Sequence, residues 1–140
     1  VIIFLGDYVD PYEFEGVTRL GAIDNFKEII DVAKNDNRIH LLIGNHDMHY
    51  IETEFMDCSR LNIRRRDEIH DIFMNNIDKF QLIHEIDKYL FSHAGVYLEW
   101  IKKYEITLEE LFTFKRFIKG RWKRGVNQTC RDSKGLLCYL

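Results

Sequence analysis

The sequence contains 140 residues, of which 46% are hydrophobic and 31% are charged, and its formal net charge is −3. These values are ordinary for a soluble globular protein and predict one domain over residues 1–140. A slightly acidic chain argues against strong unspecific attraction to nucleic acid or to an anionic membrane surface. No apolar run approaches the length of a membrane-spanning helix, so we expect no membrane partner.

The start of the chain and its cysteines bear on where the protein works. Val1 to Leu5 is an apolar run without Met or a polar lead-in, which favours a missing preceding segment. The absence of a signal peptide therefore carries no information. Cys58, Cys130 and Cys138 have neither CxxC spacing nor His partners at zinc spacing. We expect reduced, structural cysteines in a cytoplasmic protein.

Strand and helix patterns alternate over the first part of the chain. Val1 to Leu5 predicts a strand that is buried on both faces. Apolar residues then recur at helical spacing between Leu20 and Ala33, with charged residues on the opposite face. Ile39 to Ile43 predicts a second strand. Strand, helix and strand in this order are typical of a right-handed βαβ unit with parallel strands.

Shorter elements follow a predicted loop that runs through Arg60. Apolar residues at helical spacing predict one amphipathic helix, carried by Ile69, Ile72, Phe73, Ile77 and Phe80. Gln81 to Ile86 and Tyr89 to Ser92 predict two strands joined by a tight turn. Thr107 opens a capping-box pattern, which predicts a helix that extends to Ile118.

Three short blocks each follow an apolar run, and each contains a glycine and a side chain that can bind a metal or transfer a proton. They are Gly6-Asp7-Tyr8-Val9-Asp10, Gly44-Asn45-His46-Asp47 and Ser92-His93-Ala94-Gly95. Any one of them alone is typical of an ordinary turn. Three in succession at predicted strand ends favour a functional site, because ligands bind beyond the carboxyl ends of parallel strands.

The residue types in these blocks suit a hydrolytic metal site. Asp7 and Asn45 follow strands that would lie about 4.8 Å apart if they are neighbours. His93 follows another strand and could reach the same place. A carboxylate, an amide oxygen and an imidazole suit manganese, iron or zinc better than a metal that prefers thiolates.

These blocks resemble the calcineurin-like metallophosphoesterase superfamily, whose ordered motifs are Asp-x-His, Gly-Asp-x-x-Asp, Gly-Asn-His-Asp/Glu, a His-bearing block and Gly-His-x-His. The chain shows GDYVD at 6–10, GNHD at 44–47 and SHAG at 92–95, so the resemblance spans about residues 1–103. It implies an α/β fold, specifically part of an αββα sandwich of two mixed sheets flanked by helices.

The resemblance also implies a function and a metal site. It implies a phosphoester hydrolase with two divalent ions of manganese, iron or zinc, in which a metal-bound hydroxide attacks a phosphorylated substrate. Asp7 would bridge the two ions. Asn45 and His93 would complete part of the second ion's shell.

The same resemblance implies roles for three further residues. His46 would face the substrate, either as general acid for the leaving oxygen or as a cationic stabiliser of the phosphoryl group. Asp10 would hydrogen-bond and orient His46. Asp47 would support the metal ligands without binding a metal ion itself. The alternative for Asp10 is a loop carboxylate that caps a turn, and we favour the orienting role.

The sequence departs from the superfamily pattern at three places. No Asp-x-His precedes Val1, and no histidine follows His93. We therefore expect an internal piece that is incomplete at both ends, with little activity and weak metal binding by itself. The protein phosphatase branch continues GDxxD with an arginine that grips phosphate, where this chain has Pro11. The departure argues against a protein phosphatase within the broader phosphoesterase assignment.

Two alternative functions stay open at this point. One is a non-catalytic interaction module on the same scaffold, like the phosphoesterase-fold subunit of the retromer coat. The other is a phosphodiesterase or nuclease. Residues 111–131 carry seven basic residues and no acidic one, which fits either a rim for phosphate or nucleic acid or a packing face. His49 is interpreted as a loop histidine rather than a metal partner of His46.

Overall fold

The computed structural model describes residues 1–52, 59–96 and 98–118. In chain order the elements are β1 (Ile2–Phe4), α1 (Arg19–Asn35), β2 (Ile39–Leu42), α2 (Asn45–Ile51), α3 (Arg66–Asn75), β3 (Phe80–Gln81), β4 (Ile83–Ile86), β5 (Tyr89–Ser92), α4 (Leu98–Lys103) and α5 (Leu108–Phe112). The three cysteines and residues 119–131 of the basic segment lie outside the described residues.

A parallel three-stranded sheet in the order β1-β2-β3 carries the site. Ile2 pairs with Ile39 and Phe4 with Leu41, so β1 and β2 end at the same edge. Leu41 pairs with Phe80, which adds β3 on the other side of β2. The predicted parallel βαβ unit is confirmed.

Helix α1 forms because its cap and its apolar spacing agree. The Thr18 side chain accepts a hydrogen bond from the backbone N–H of Gly21, which satisfies a donor in the first turn. Phe26 on the buried face lies in an aromatic cluster, with ring centroids 4.7 Å from Phe73 and 4.7 Å from Tyr8. Because Tyr8 belongs to the first block, this core also anchors the turn that carries Asp7 and Asp10.

Strands β4 and β5 form a separate antiparallel hairpin, with Ile83 opposite Ser92 and Ile86 opposite Tyr89. Asp87 lies in the tight turn between them with φ 55°, a left-handed conformation that Asp tolerates better than most residues. The predicted strand from Gln81 to Ile86 is divided here. Gln81 belongs to the parallel sheet, and the hairpin begins at Ile83.

Several predictions of elements were wrong in extent. The first strand is not buried on both faces, since β1 is an outer strand of its sheet and Ile2 is 54% exposed. Residues 45–51 form α2, where a loop was predicted, so His49 lies on a helix. Helix α3 ends at Asn75, and Phe80 begins β3 instead of extending the helix.

The predicted α/β fold class is confirmed, since the structure combines helices with two small sheets. Mixed sheets were expected. Among the described residues, one sheet has only parallel strand pairs and the other only an antiparallel pair. The capping box at Thr107 is present, with its side chain accepting from the backbone N–H of Glu110. Helix α5 ends at Phe112, and a further helical stretch covers 114–118. No helix of the described segments combines the length and apolarity needed to cross a membrane.

Candidate functional site

The turns after β1 and β2 approach each other so closely that both need glycine. Gly6 has φ +96°, and an added Cβ would lie 2.6 Å from the Cα of Gly44. A Cβ at Gly44 would lie 2.6 Å from the backbone N of Asp7. Either distance is far inside van der Waals contact with backbone atoms that cannot move aside. The two glycines therefore let Asp7 and Asn45 share one edge of the sheet.

Asp47 joins these two turns through backbone hydrogen bonds. Its Oδ2 accepts from the N–H of Asp7 at 2.9 Å and of Gly44 at 2.8 Å, and its Oδ1 accepts from Tyr8 at 3.0 Å. Burial, and next the charge of Asp7, raise the pKa of Asp47 to about 7, although the three N–H groups favour the ionised form. Asp7 itself has φ 59°, a conformation that this anchoring supports.

Tyr8 also holds the turn that follows β1 in place. Its hydroxyl donates to the backbone carbonyl of Leu42 at 2.8 Å, and its ring stacks on Phe26. Burial raises the pKa of Tyr8 well above its ordinary value, with further contributions from Asp47 and Asp7. The hydroxyl therefore stays a neutral donor that ties the turn to β2.

The three predicted metal ligands meet at this edge. His93 Nε2 lies 3.0 Å from Asn45 Oδ1 and 3.5 Å from Asp7 Oδ2. His93 Nδ1 lies 2.6 Å from the backbone carbonyl of Leu5, which can only accept, so Nδ1 carries a hydrogen. In the neutral ring Nε2 then presents a lone pair. This orientation, with the second ring nitrogen donating to a carbonyl, is the one that metal-binding histidines commonly adopt.

The resulting donor set fits part of the shell of one divalent ion. Two oxygens and one imidazole nitrogen suit manganese, iron or zinc. Among the described residues, no three His, Cys, Asp or Glu side chains are grouped so that they could hold a metal ion. Asp7 and His93 supply two of the three candidate donor atoms, and the amide oxygen of Asn45 supplies the third. The described part of the chain gathers no comparable set around a second ion.

His46 and Asp10 lie beside the candidate ligands as a buried pair. His46 Nδ1 lies 3.1 Å from Asp10 Oδ2, and the other carboxylate oxygen of Asp10 accepts from the Tyr50 hydroxyl at 2.6 Å. The backbone N–H of His46 donates to Asp7 Oδ1 at 3.0 Å, which links the pair to the candidate metal ligands. The hydrogen bond with Asp10 raises the pKa of His46, against the opposing effect of burial.

Two residues of this site were missed by sequence reasoning. Tyr50 holds Asp10 from α2, and its hydroxyl also accepts from the N–H of Asn62 at 2.8 Å. Recognising α2 as a helix would have revealed Tyr50, because it lies four residues after His46 on the same helix face. Arg60 donates from Nε to the backbone carbonyl of Asp10 at 2.9 Å. No local sequence pattern marks Arg60.

Three further histidines have partners in the structure. His70 Nδ1 lies 2.8 Å from the backbone carbonyl of Tyr50, so it supports the end of α2. His40 and His84 stack with ring centroids 3.5 Å apart, across the two sheets. All three rings are half-buried and have a partner.

Comparison with known proteins identifies the family. The sequence matches the family model for calcineurin-like phosphoesterases over residues 1–128. No curated protein and no solved structure gives a significant match. A family match over nearly the whole sequence supports a phosphoesterase-type function. The chain therefore belongs to the calcineurin-like phosphoesterase family.

Proposed function

We propose that this protein is a metal-dependent phosphoester hydrolase in which His46 acts next to the metal ligands. The observation that carries the proposal is the His46–Asp10 pair, 3.1 Å apart and linked to Asp7 through the backbone N–H of His46. A protein that only bound a partner would have no need of an oriented, buried imidazole beside a carboxylate. The pair therefore favours catalysis over a non-catalytic interaction module.

Members of this family generally use divalent metal ions, and Asp7, Asn45 and His93 would hold one of them. Divalent ions bound at such a site polarise phosphoryl oxygens and lower the pKa of a bound water. Their identity as manganese, iron or zinc is part of the proposal, argued from the mixed oxygen and nitrogen ligands. Asp47 keeps the turns of Asp7 and Gly44 in register.

The residues around His46 define which ring atom faces the substrate. Asp10 engages Nδ1, and Tyr50 holds the second oxygen of the Asp10 carboxylate. Nε2, which lies 3.2 Å from Arg60 Nη2, is the ring nitrogen that does not contact Asp10, and it would face the reacting group. There it would give a proton to the leaving oxygen as the phosphorus–oxygen bond breaks. The carboxylate would raise the basicity of the ring and fix its orientation.

The test is turnover of model phosphoesters by the protein expressed from its whole gene. With manganese, iron or zinc added, we expect hydrolysis of p-nitrophenyl phosphate or of bis-p-nitrophenyl phosphate. The ratio of the two rates assigns the enzyme to monoesters or to diesters. Asp7→Asn is expected to abolish turnover. Absence of turnover on both esters with all three metals would refute the proposal, and wild-type rates in Asp7→Asn would remove Asp7 from the metal site.

A further inference from the structure

Arg60 enters the site from the chain that follows α2 and is held there by three contacts. Its Nε donates to the backbone carbonyl of Asp10 at 2.9 Å, and its Nη2 lies 3.2 Å from His46 Nε2. Its guanidinium carbon lies 3.6 Å from the centroid of the Tyr12 ring. Hydrogen bonding at one edge and stacking on one face fix both the position and the plane of the group.

The aromatic support beneath Arg60 is itself braced. The Phe14 ring stacks on Tyr12 with centroids 4.9 Å apart and planes 19° apart. A ring face that holds a guanidinium at 3.6 Å has no room for a second stacked ring. Phe14 and Arg60 therefore occupy opposite faces of Tyr12. This stack holds the cation towards His46, and cation–π attraction adds to it.

The positive charge of Arg60 is not neutralised by the described parts of the chain. Its contacts are with a carbonyl oxygen, a ring nitrogen and a π face, and no carboxylate of the described residues pairs with it. The nearby Asp10 carboxylate is engaged by His46 and Tyr50. A guanidinium is permanently charged, so it creates a binding place for an anion at this point.

We propose that Arg60 is the phosphate-binding cation of the site, and that its guanidinium binds a phosphoryl oxygen next to His46 Nε2. The inference rests on the proposed function. The planar donor fork of arginine matches the oxygens of a phosphate group. An oxygen placed between Arg60 and His46 would accept from both and replace their direct contact. Pro11, directly after Asp10, has no donor to offer in this place.

The primary experiment measures phosphate binding, which does not depend on turnover. Inorganic phosphate is titrated into the protein expressed from its whole gene, with and without manganese, by calorimetry. Arg60→Gln is expected to weaken binding by about tenfold or more, because a charged hydrogen bond to an anion is lost. Arg64→Gln is the matched control, since Arg64 is exposed and the charge change is the same.

The kinetic experiment separates this inference from the proposed function. Arg60→Gln is expected to raise KM for p-nitrophenyl phosphate and to lower kcat/KM, while Arg64→Gln leaves both unchanged. Hydrolysis and phosphate binding that persist unchanged in Arg60→Gln would overturn the role of Arg60 and leave the proposed function standing. Phosphate binding that depends on Arg60 without any hydrolysis would support the anion site and refute the proposed function.

A second variant decides the matter if Arg60→Gln does not fold. Tyr12→Ala removes the ring beneath the guanidinium and keeps its charge and its bond to Asp10. Weakened phosphate binding in Tyr12→Ala, with an unchanged melting temperature, supports a positioned cation. Binding equal to that of the wild type in Tyr12→Ala overturns it.

Discussion

Asp47 accepts a hydrogen bond from the backbone N–H of Asp7 at 2.9 Å, and so joins the turns after two neighbouring parallel strands. The same carboxylate accepts from Gly44 and Tyr8. The candidate metal ligand Asp7 is thus positioned by a residue 40 positions later in the chain. Stability and site geometry depend on the same carboxylate.

Removing the Asp47 carboxylate is expected to destabilise the protein strongly. Asp47→Ala leaves three N–H groups without their acceptor, which should lower the free energy of unfolding by about 3 kcal/mol or more. Asp47→Asn keeps one oxygen in place and should cost about half as much. Urea denaturation measures both. Asp24, on the exposed face of α1, offers the same pair of substitutions as a control. Equal losses in Asp47→Asn and Asp47→Ala would contradict the prediction.

Replacing His93 is expected to weaken metal binding while the fold is retained. His93→Ala removes the nitrogen ligand, so the affinity for manganese should fall by at least about tenfold. Calorimetric titration of manganese into the metal-free protein measures the change. His84→Ala, on β4 and stacked on His40, should bind manganese as the wild type does. An unchanged affinity in His93→Ala would exclude His93 as a ligand.

The role of His46 can be read from the leaving group. If His46 protonates the leaving oxygen, His46→Gln should lower kcat by about 10²–10⁴-fold on phenyl phosphate. The loss should be much smaller on p-nitrophenyl phosphate, because a more acidic leaving group needs less help from a proton donor. Asp10→Asn should show the same trend with smaller losses. Equal losses on both esters would instead indicate a cation that stabilises the phosphoryl group.

The stacked pair His40 and His84 should make stability depend on pH. Burial lowers the pKa of both rings, with added repulsion from His40 on His84. The folded state therefore binds fewer protons than the unfolded chain once the pH falls below about 6.5. The stabilisation that the neutral pair contributes should be fully present above that pH and be lost as the pH decreases through the lowered pKa values, whereas the raised pKa of Asp47 acts in the opposite direction.

The measurement is the free energy of unfolding from urea denaturation at pH 7.5, 6.5 and 5.5. His84→Gln removes one titrating ring from the pair, so the free energy of unfolding of the wild type relative to this variant should fall between pH 6.5 and 5.5. Asp47, whose pKa burial raises to about 7, and the other carboxyl groups are the same in both proteins, so they affect both alike. A wild-type slope in His84→Gln would show that the pair does not cause the pH dependence.

How much could be predicted differs between the site and its surroundings. Asp7, Asn45 and His93 could be placed near one another because each follows a strand, and strand patterns are local. The position of Tyr50 beside Asp10 could not be predicted, because the sequence of α2 lacks the apolar residues at helical spacing that would indicate a helix. Its residues are mostly buried, polar ones included, so burial on all sides replaced the usual amphipathic pattern.

By itself, the sequence determined the α/β class, the βαβ unit and the three blocks, because periodicity, caps and glycine turns act between near neighbours in the chain. The tertiary structure alone decided the position of Arg60 against His46 and the stacking of His40 on His84. It also decided that Phe80 lies in a strand of the parallel sheet and not in a helix. These contacts depend on how distant segments pack. No local preference of the residues encodes them.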